Sequence, residues 1–287
     1  MSTRTLLLTA LAMLAFAGNS LLCRLALKDT EIDAASFTSL RLASGALTLW
    51  LLLRLRRGDG ALAGSWAGAA ALFVYAAAFS FAYISLDAGV GALLLFGAVQ
   101  VSMLLWGFYR GERFSPLTSA GLMLALGGLL ALLLPGASAP ALGGALLMLL
   151  AGTAWGVYSL LGRGAGDPLA VTAGNFARAT PLALLASALL LSHANWDGLG
   201  LFYAVLSGAL TSGIGYAIWY TALRGLKAFQ AATVQLSVPI IAALAGSLLL
   251  DEALSLRLIL SSLAVLGGIA VVLSAKQRGQ HPTRNGQ

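Results

Sequence analysis

Four side-chain amides stand inside otherwise apolar stretches of this chain: Asn19, Gln100, Asn175 and Gln235. An amide carries both a donor and an acceptor, so it can face the carboxylate or the ammonium of a zwitterion without holding a fixed charge. Asn19 and Gln235 are the two expected to line a path for solute. The alternative for all of them is interhelical bonding, worth about 0.6 kcal/mol apiece in a membrane. Aromatic residues supply a second kind of chemistry. Tyr75, Phe79 and Tyr83 are spaced four apart and so share one face of a helix. Trp155 and Tyr158 lie close together, and Trp219 is flanked by Tyr216 and Tyr220. Their ring faces suit aromatic side chains and flat organic cations alike, although such stripes also serve plain packing. Trp50, Trp66, Trp106, Tyr109, Trp196 and Tyr203 fall near the ends of apolar runs, where an interfacial belt accounts for them.

Two arginines interrupt apolar runs. Arg41 stands near the start of its run, close enough to snorkel to the outer interface. Arg178 stands near mid-depth, where an arginine costs about 2.5–3.5 kcal/mol and needs a partner or a wet cavity. One reading bonds it to backbone carbonyls near Pro181, which has no N–H and leaves the carbonyl four residues earlier unpaired. The other makes Arg178 an anchor for a substrate carboxylate. All ten Asp and Glu lie in loops or at helix ends. A carboxylate buried in the membrane is the usual proton or cation relay, so facilitated movement down the substrate gradient is expected.

These residues must be positioned by membrane helices. Of 287 residues, 59% are apolar and 9% charged, against roughly a quarter charged in a soluble domain. The composition predicts an all-α polytopic membrane protein with short loops, and excludes an ordinary soluble enzyme, a disordered chain and a collagen-like one. Apolar runs fall at about 5–23, 34–53, 66–86, 88–109, 116–134, 140–161, 169–191, 200–223, 228–250 and 256–275, which makes ten spans. Turn signals separate them, among them Arg57-Gly58-Asp59-Gly60, Pro135-Gly136 and the stretch from Gly164 to Pro168. Ser115-Pro116 reads as an N-cap followed by proline at the first helical position. With the N-terminus in the cytoplasm, twelve Lys or Arg fall on that side and three (Arg24, Lys28, Arg257) on the other. That bias predicts a multi-pass protein of the inner (plasma) membrane with both termini cytoplasmic. The net charge of +7 is thereby explained by topology, and nucleic acid is not an expected partner. The N-terminus imitates a secretory signal, with Arg4, an apolar run from Leu6 and Ala15-Phe16-Ala17, but the repeat described next needs it as a retained helix. Cys23 is the one cysteine, and His193 and His281 lie outside the spans, so neither a disulfide nor a metal site is expected.

The halves resemble each other. Glu112-Arg113-Phe114-Ser115 followed by Leu126-Gly127-Gly128 matches Glu252-Ala253-Leu254-Ser255 followed by Leu266-Gly267-Gly268 at an offset of 140. Phe79 through Leu86 lies over Trp219 through Leu226 at the same offset, and Ser20-Leu21-Leu22 with Arg24 matches Ser159-Leu160-Leu161 with Arg163 at 139. Arg41 meets Arg178 at 137. Each half holds five spans, an odd number, so the two must insert in opposite orientations. Residues 1–136 and 137–275 are expected as two inverted five-helix repeats around a central cavity, with 276–287 a cytoplasmic tail without fixed structure.

The paired motifs resemble the EamA branch of the drug/metabolite transporter superfamily over about residues 5–275. General similarity is greatest to its YddG-type exporters of aromatic amino acids. The resemblance implies a basket of ten helices, a cavity lined mainly by spans one, three, four, six, eight and nine, and export of small metabolites. Span nine carries the mid-helix Pro239 of that pattern, but the matching position in span four is Val99. Pro239 and Gly97 are the expected hinges. The expected substrate contacts are Asn19, Tyr75, Phe79, Tyr83, Trp155, Tyr158, Trp219, Gln235 and Arg178. The expected function is a secondary transporter, not an enzyme, that exports aromatic and other hydrophobic amino acids by alternating access. Its partners would be that substrate and the lipid bilayer, with no cofactor and no required oligomer. A cationic-drug exporter of the same fold is the alternative, disfavoured by the lack of an intramembrane carboxylate. A membrane-embedded enzyme would need a nucleophile–base pair or metal ligands at depth, and a non-transporting scaffold or receptor is a further alternative, disfavoured by the repeat.

Overall fold

A chain in hydrocarbon must satisfy its backbone polar groups internally, and helices do so within each segment. The computed structural model describes residues 2–56, 61–163 and 166–279; the expected turns at 57–60 and at Gly164 lie outside them. Among the described residues there is no strand, and ten helices are long and apolar enough to cross a membrane. Spans one to seven are α1 (Thr3–Asp29), α2 (Ala34–Leu55), α3 (Trp66–Tyr83), α4 (Ala88–Tyr109), α5 (Pro116–Leu133), α6 (Leu142–Leu161) and α7 (Pro168–Leu189). Span eight is α8 (Gly198–Leu206), a π-helical segment (Ser207–Ile214) and α9 (Gly215–Leu223). Span nine is α10 (Ala228–Val234) and α11 (Ser237–Leu249), and span ten is α12 (Leu256–Gly279). Two boundaries differ from expectation. Helix α1 continues past residue 23 and carries Arg24 and Lys28 on its last turns, and α12 continues past 275, so Lys276 is helical.

Polar side chains at the loop ends start these helices by taking up N–H groups that have no intrahelical acceptor. Asp33 accepts from Ala35 and Ser36, Ser65 from Gly68, and Asp197 from Gly200. Ser115 accepts from Thr118, with Pro116 inside the first turn as its sequence implies. Helix α4 is different: Asp87 gives it no side-chain cap, and its Ala88 N–H instead donates to Oε2 of Glu252, 2.8 Å away, from the turn after span nine.

Contacts between the first five spans and the last five are arranged symmetrically. Exchanging span one for six, two for seven, three for eight, four for nine and five for ten turns each major contact between halves into another that exists. One–eight becomes six–three, one–nine becomes six–four, two–eight becomes seven–three, and two–seven, four–nine and five–ten map onto themselves. The Leu-Gly-Gly motifs hold the five–ten pair together. A Cβ on Gly268 would lie 2.5 Å from the Gly121 carbonyl oxygen and one on Gly128 would lie 2.8 Å from the Ala264 Cβ, whereas Gly127 and Gly267 face open space. Only the second glycine of each motif permits the close approach of the helices. Leucines such as Leu124, Leu185, Leu248 and Leu263 are exposed on the outer surface, where lipid covers them.

Candidate functional site

Between the halves lies a cavity of about 340 Å³, within the size range of sites for small organic ligands. Its walls come from α1 (Phe16, Asn19, Ser20), α3 (Tyr75, Phe79), α4 (Leu95, Phe96, Val99), α6 (Trp155, Tyr158), span eight (Thr211, Ser212, Tyr216, Trp219, Tyr220) and Gln235 in span nine. Pro168, Val171 and Thr172 add span seven, which the resemblance did not imply.

Aromatic rings form a continuous surface. Trp155 stacks on Tyr216 with ring centres 5.5 Å apart and planes 19° apart, and it meets Tyr75 at 4.7 Å and Tyr158 at 5.1 Å. Phe16 reaches Tyr216 at 5.7 Å and the edge of Trp219 at 5.9 Å. These are the offset and edge-on geometries that aromatic pairs favour. The four-residue spacing in α3 produces the Tyr75–Phe79 contact at 5.5 Å. One turn further on, Tyr83 is turned away from the cavity. It packs edge-on against Phe79, and its hydroxyl donates to the Ala88 carbonyl at 3.3 Å.

Polar groups sit at two places on this aromatic wall. Thr172 Oγ1 lies 2.7 Å from the Tyr220 hydroxyl and accepts from that of Tyr158 at 3.4 Å. At the other place, Asn19 Oδ1 accepts from Ser207 at 2.7 Å and Thr211 at 3.3 Å, both in the π-helical segment, while Asn19 Nδ2 donates to the Tyr75 hydroxyl at 3.5 Å. Directly behind Tyr75 and Phe79 stands Arg41. It is 1% exposed, its Nη2 donates to the Tyr75 hydroxyl at 3.0 Å, and its guanidinium carbon lies 4.8 Å from the centre of the Phe79 ring.

Arg41 therefore does not snorkel. Span eight and α3 enclose it, and Gly208 makes that possible: a Cβ there would overlap Ser44 Oγ and the Arg41 carbonyl. Arg178 bonds to backbone carbonyls, as one of its two readings expected, but not to the one that Pro181 frees. Its Nη1 donates to the Gly174 carbonyl at 3.0 Å and the Ala63 carbonyl at 2.7 Å, fastening the segment before α3 to α7 away from the cavity. Asn175 assists by accepting from the Ser65 N–H at 2.9 Å. Gln235 reaches the cavity, but its Nε2 donates to the Ala231 carbonyl at 3.2 Å. Gly97 is packed against Leu129, and Pro239 stands in the first turn of α11, just past a break at Gln235-Leu236. Proline has no N–H to give the Gln235 carbonyl, which accepts from Val238 instead at 3.1 Å.

Asn19, Tyr75, Phe79, Trp155, Tyr158, Trp219 and Gln235 thus meet around one space, while Tyr83 and Arg178 do not line it. Sequence reasoning missed the enclosure of Arg41 and the roles of Phe16, Thr172 and the π-helical segment. A signal for the last existed: Ser207-Gly208 and Thr211-Ser212-Gly213 interrupt an apolar span with small and hydroxylic residues, and π-helical turns recur at functional sites.

The cavity extends to Gly162, Pro168 and Leu223, at the helix ends that also carry Arg163 and Arg224. At the opposite end of the bundle an ionic cluster joins the halves. Arg24 on α1 pairs with Glu252 at 3.1 Å and Asp87 at 3.4 Å and donates to the Tyr83 and Ile84 carbonyls, while Lys28 donates to the Leu250 carbonyl at 2.8 Å. Burial pushes the Glu252 carboxyl up, with the Ala88 N–H and Arg24 opposing only in part.

A ten-span helical bundle enclosing a cavity between its halves, with ionic groups joining those halves at one end, is the architecture of a membrane transporter. The EamA-like transporter family model matches residues 142–274, the stretch of spans six to ten. The chain is 68% identical to an uncharacterised protein of Pseudomonas aeruginosa over 95% of this chain and 96% of that one. It is 27% identical to an uncharacterised transporter of Archaeoglobus fulgidus over 96% of this chain and 99% of that one. One crystal structure shares the fold with a TM-score of 0.69 at 22% identity, covering 98% of this chain and all of the other. Over residues 142–274 the chain is thus similar to the EamA-like transporter family, and over nearly its whole length to a protein named as a transporter.

Proposed function

We propose that the protein is a secondary transporter that exports aromatic and other hydrophobic amino acids, or metabolites of that shape, across the inner membrane. Residues 1–136 and 137–275 act as the two inverted halves, with both termini in the cytoplasm. The observation that carries this reading is the aromatic wall of Phe16, Tyr75, Phe79, Trp155, Tyr216 and Trp219 around a space of about 340 Å³. Rings held against one another by their neighbours offer flat apolar faces at little cost in side-chain entropy. The Arg24–Glu252 cluster closes the outer end while the cavity opens toward the basic, cytoplasmic end, so the conformation is inward-facing. Alternating access then requires that cluster to part and the helix ends around Gly162, Pro168 and Leu223 to approach. Transport is facilitated diffusion, because the ionised acids sit in loops and at helix ends rather than at depth.

Proteoliposome uptake tests this. Labelled tryptophan is expected to enter faster than arginine or a flat dication, and to stop at equal concentrations inside and out. Accumulation above equilibrium under an imposed proton gradient refutes uncoupled movement. Preference for the dication refutes the substrate class and supports the multidrug alternative, against which the buried charge of Arg41 weighs.

A further inference from the structure

We propose that the end of the cavity formed by Tyr75, Asn19 and Ser212 is a carboxylate site, in which Tyr75 presents its hydroxyl hydrogen to the bound anion and Arg41 supplies positive charge from behind. This names the substrate class for the transport reading of the same cavity and rests on that reading.

Arg41 is a charge without a counter-charge among the described residues: no Asp or Glu there comes within salt-bridge distance of it, and its Nη1 has no hydrogen-bond partner at all. Its other bonds go to hydroxyls, from Nη2 to Tyr75 at 3.0 Å and from Nε to Ser212 at 3.5 Å. A buried guanidinium left in this state is costly, and an anion brought close to it relieves that cost.

The hydrogen bonds around Tyr75 leave a donor free for the anion. The Tyr75 oxygen accepts from Arg41 and, at 3.5 Å, from Asn19, which occupies its two lone pairs. Its single hydrogen has no acceptor among the described residues, and Tyr75 lines the cavity. Asn19 is oriented by Ser207 and Thr211, which take its oxygen and leave its N–H groups on the side of Tyr75. Ser212 accepts from Arg41 and also lines the cavity. Donors therefore converge on one end of the space and a fixed positive charge lies behind them. A carboxylate finds charge-assisted bonds there, whereas an ammonium finds repulsion. The rings of Trp155 and Tyr216 then take the apolar body of the same molecule.

Equilibrium calorimetry on the full chain in nanodiscs tests the site with indole-3-propionate and its neutral amide, which differ only at the carboxyl group, where the amide has no charge and one acceptor oxygen fewer. The acid is expected to bind about tenfold tighter or more, as one hydrogen bond to a charged group warrants. Tyr75→Phe keeps the ring and removes the hydrogen, and it should collapse the acid-to-amide ratio to about one. Arg41→Gln should do the same where the variant folds; where it does not, Tyr75→Phe decides. Equal binding of acid and amide to the unaltered chain overturns the carboxylate site and leaves the aromatic cavity standing. So does a Tyr75→Phe chain that keeps the full ratio. Binding of neither compound overturns both readings together.

Discussion

Arg24 donates from Nε to Oε1 of Glu252 across 3.1 Å, joining the first span to the turn that follows the ninth. Glu252 in turn supplies the cap that Asp87 does not give to α4, so a single carboxylate ties together three spans from both halves. Loss of that charge should loosen this end of the bundle. Cys23 is the one cysteine in the chain, is fully buried and adjoins Arg24, so it reports on the change. Glu252→Gln is expected to raise the maleimide labelling rate of Cys23 by about tenfold or more, since a broken buried pair costs several times the ~1.4 kcal/mol that tenfold requires. Unchanged labelling would show that the cluster does not close the outer end.

Asp33 predicts a pH dependence. Burial pushes its carboxyl up, but Ser36, Asn195 and Ala35 outweigh burial with hydrogen bonds to the ionised form, and the net displacement is downward. The stability it contributes is therefore present above the ordinary value of 3.8 and is lost as pH falls through the lowered folded value. Asp33→Ala should lower stability at neutral pH by about 0.5–2 kcal/mol, as loss of a helix cap does. Thermal melts of both chains should converge as the pH drops below 3.8; a gap that stays constant would refute the linkage.

Pro239 follows the break at Gln235-Leu236 that separates α10 from α11. Alanine there restores an N–H four residues after Gln235 and favours one continuous helix. Pro239→Ala should slow maximal exchange by about tenfold, equivalent to about 1.4 kcal/mol of barrier, and should lower the melting temperature little or not at all. Full-rate exchange in proteoliposomes would remove the hinge.

Two glycines make a matched test of packing. A Cβ on Gly208 would overlap the Arg41 carbonyl, whereas one on Gly127 meets nothing within 4 Å. Gly208→Ala should cost about 1–3 kcal/mol through overpacking, while Gly127→Ala should be neutral or stabilise by about 0.4–1 kcal/mol. Melting curves of the two variants check the contrast; equal effects would mean that span eight yields easily over Arg41.

The ten spans were legible because a membrane helix announces itself locally: the length of an apolar run and the caps at its ends depend on residues close in sequence. Ser115-Pro116 and the Leu-Gly-Gly pairs belong to this class. Most of the aromatic wall was legible too, since Tyr75 and Phe79 share a helix face by spacing alone and the repeat places Trp219 opposite. Tyr83 shows the limit of the rule: same spacing, same face, yet one further turn carries it past the cavity to the Ala88 carbonyl.

Arg41 and Arg178 mark where local information ended. They match by repeat and interrupt similar apolar runs, and sequence alone placed Arg41 within reach of the interface and left Arg178 between backbone carbonyls and a substrate carboxylate. Tertiary structure buries the first and gives the second to carbonyls, because an arginine's partners are chosen among groups far away in the chain. Arg41 meets Tyr75 and Ser212, the latter brought in by a π-helical segment that can approach only over Gly208. Arg178 finds the Ala63 carbonyl beside α3. Sequence by itself determined the helices, their number and the residue types available to a cavity. Which of those side chains meet, and which charge is left without a partner, depended on long-range packing between the halves, where close approach of backbones decides the matter and no periodicity records it.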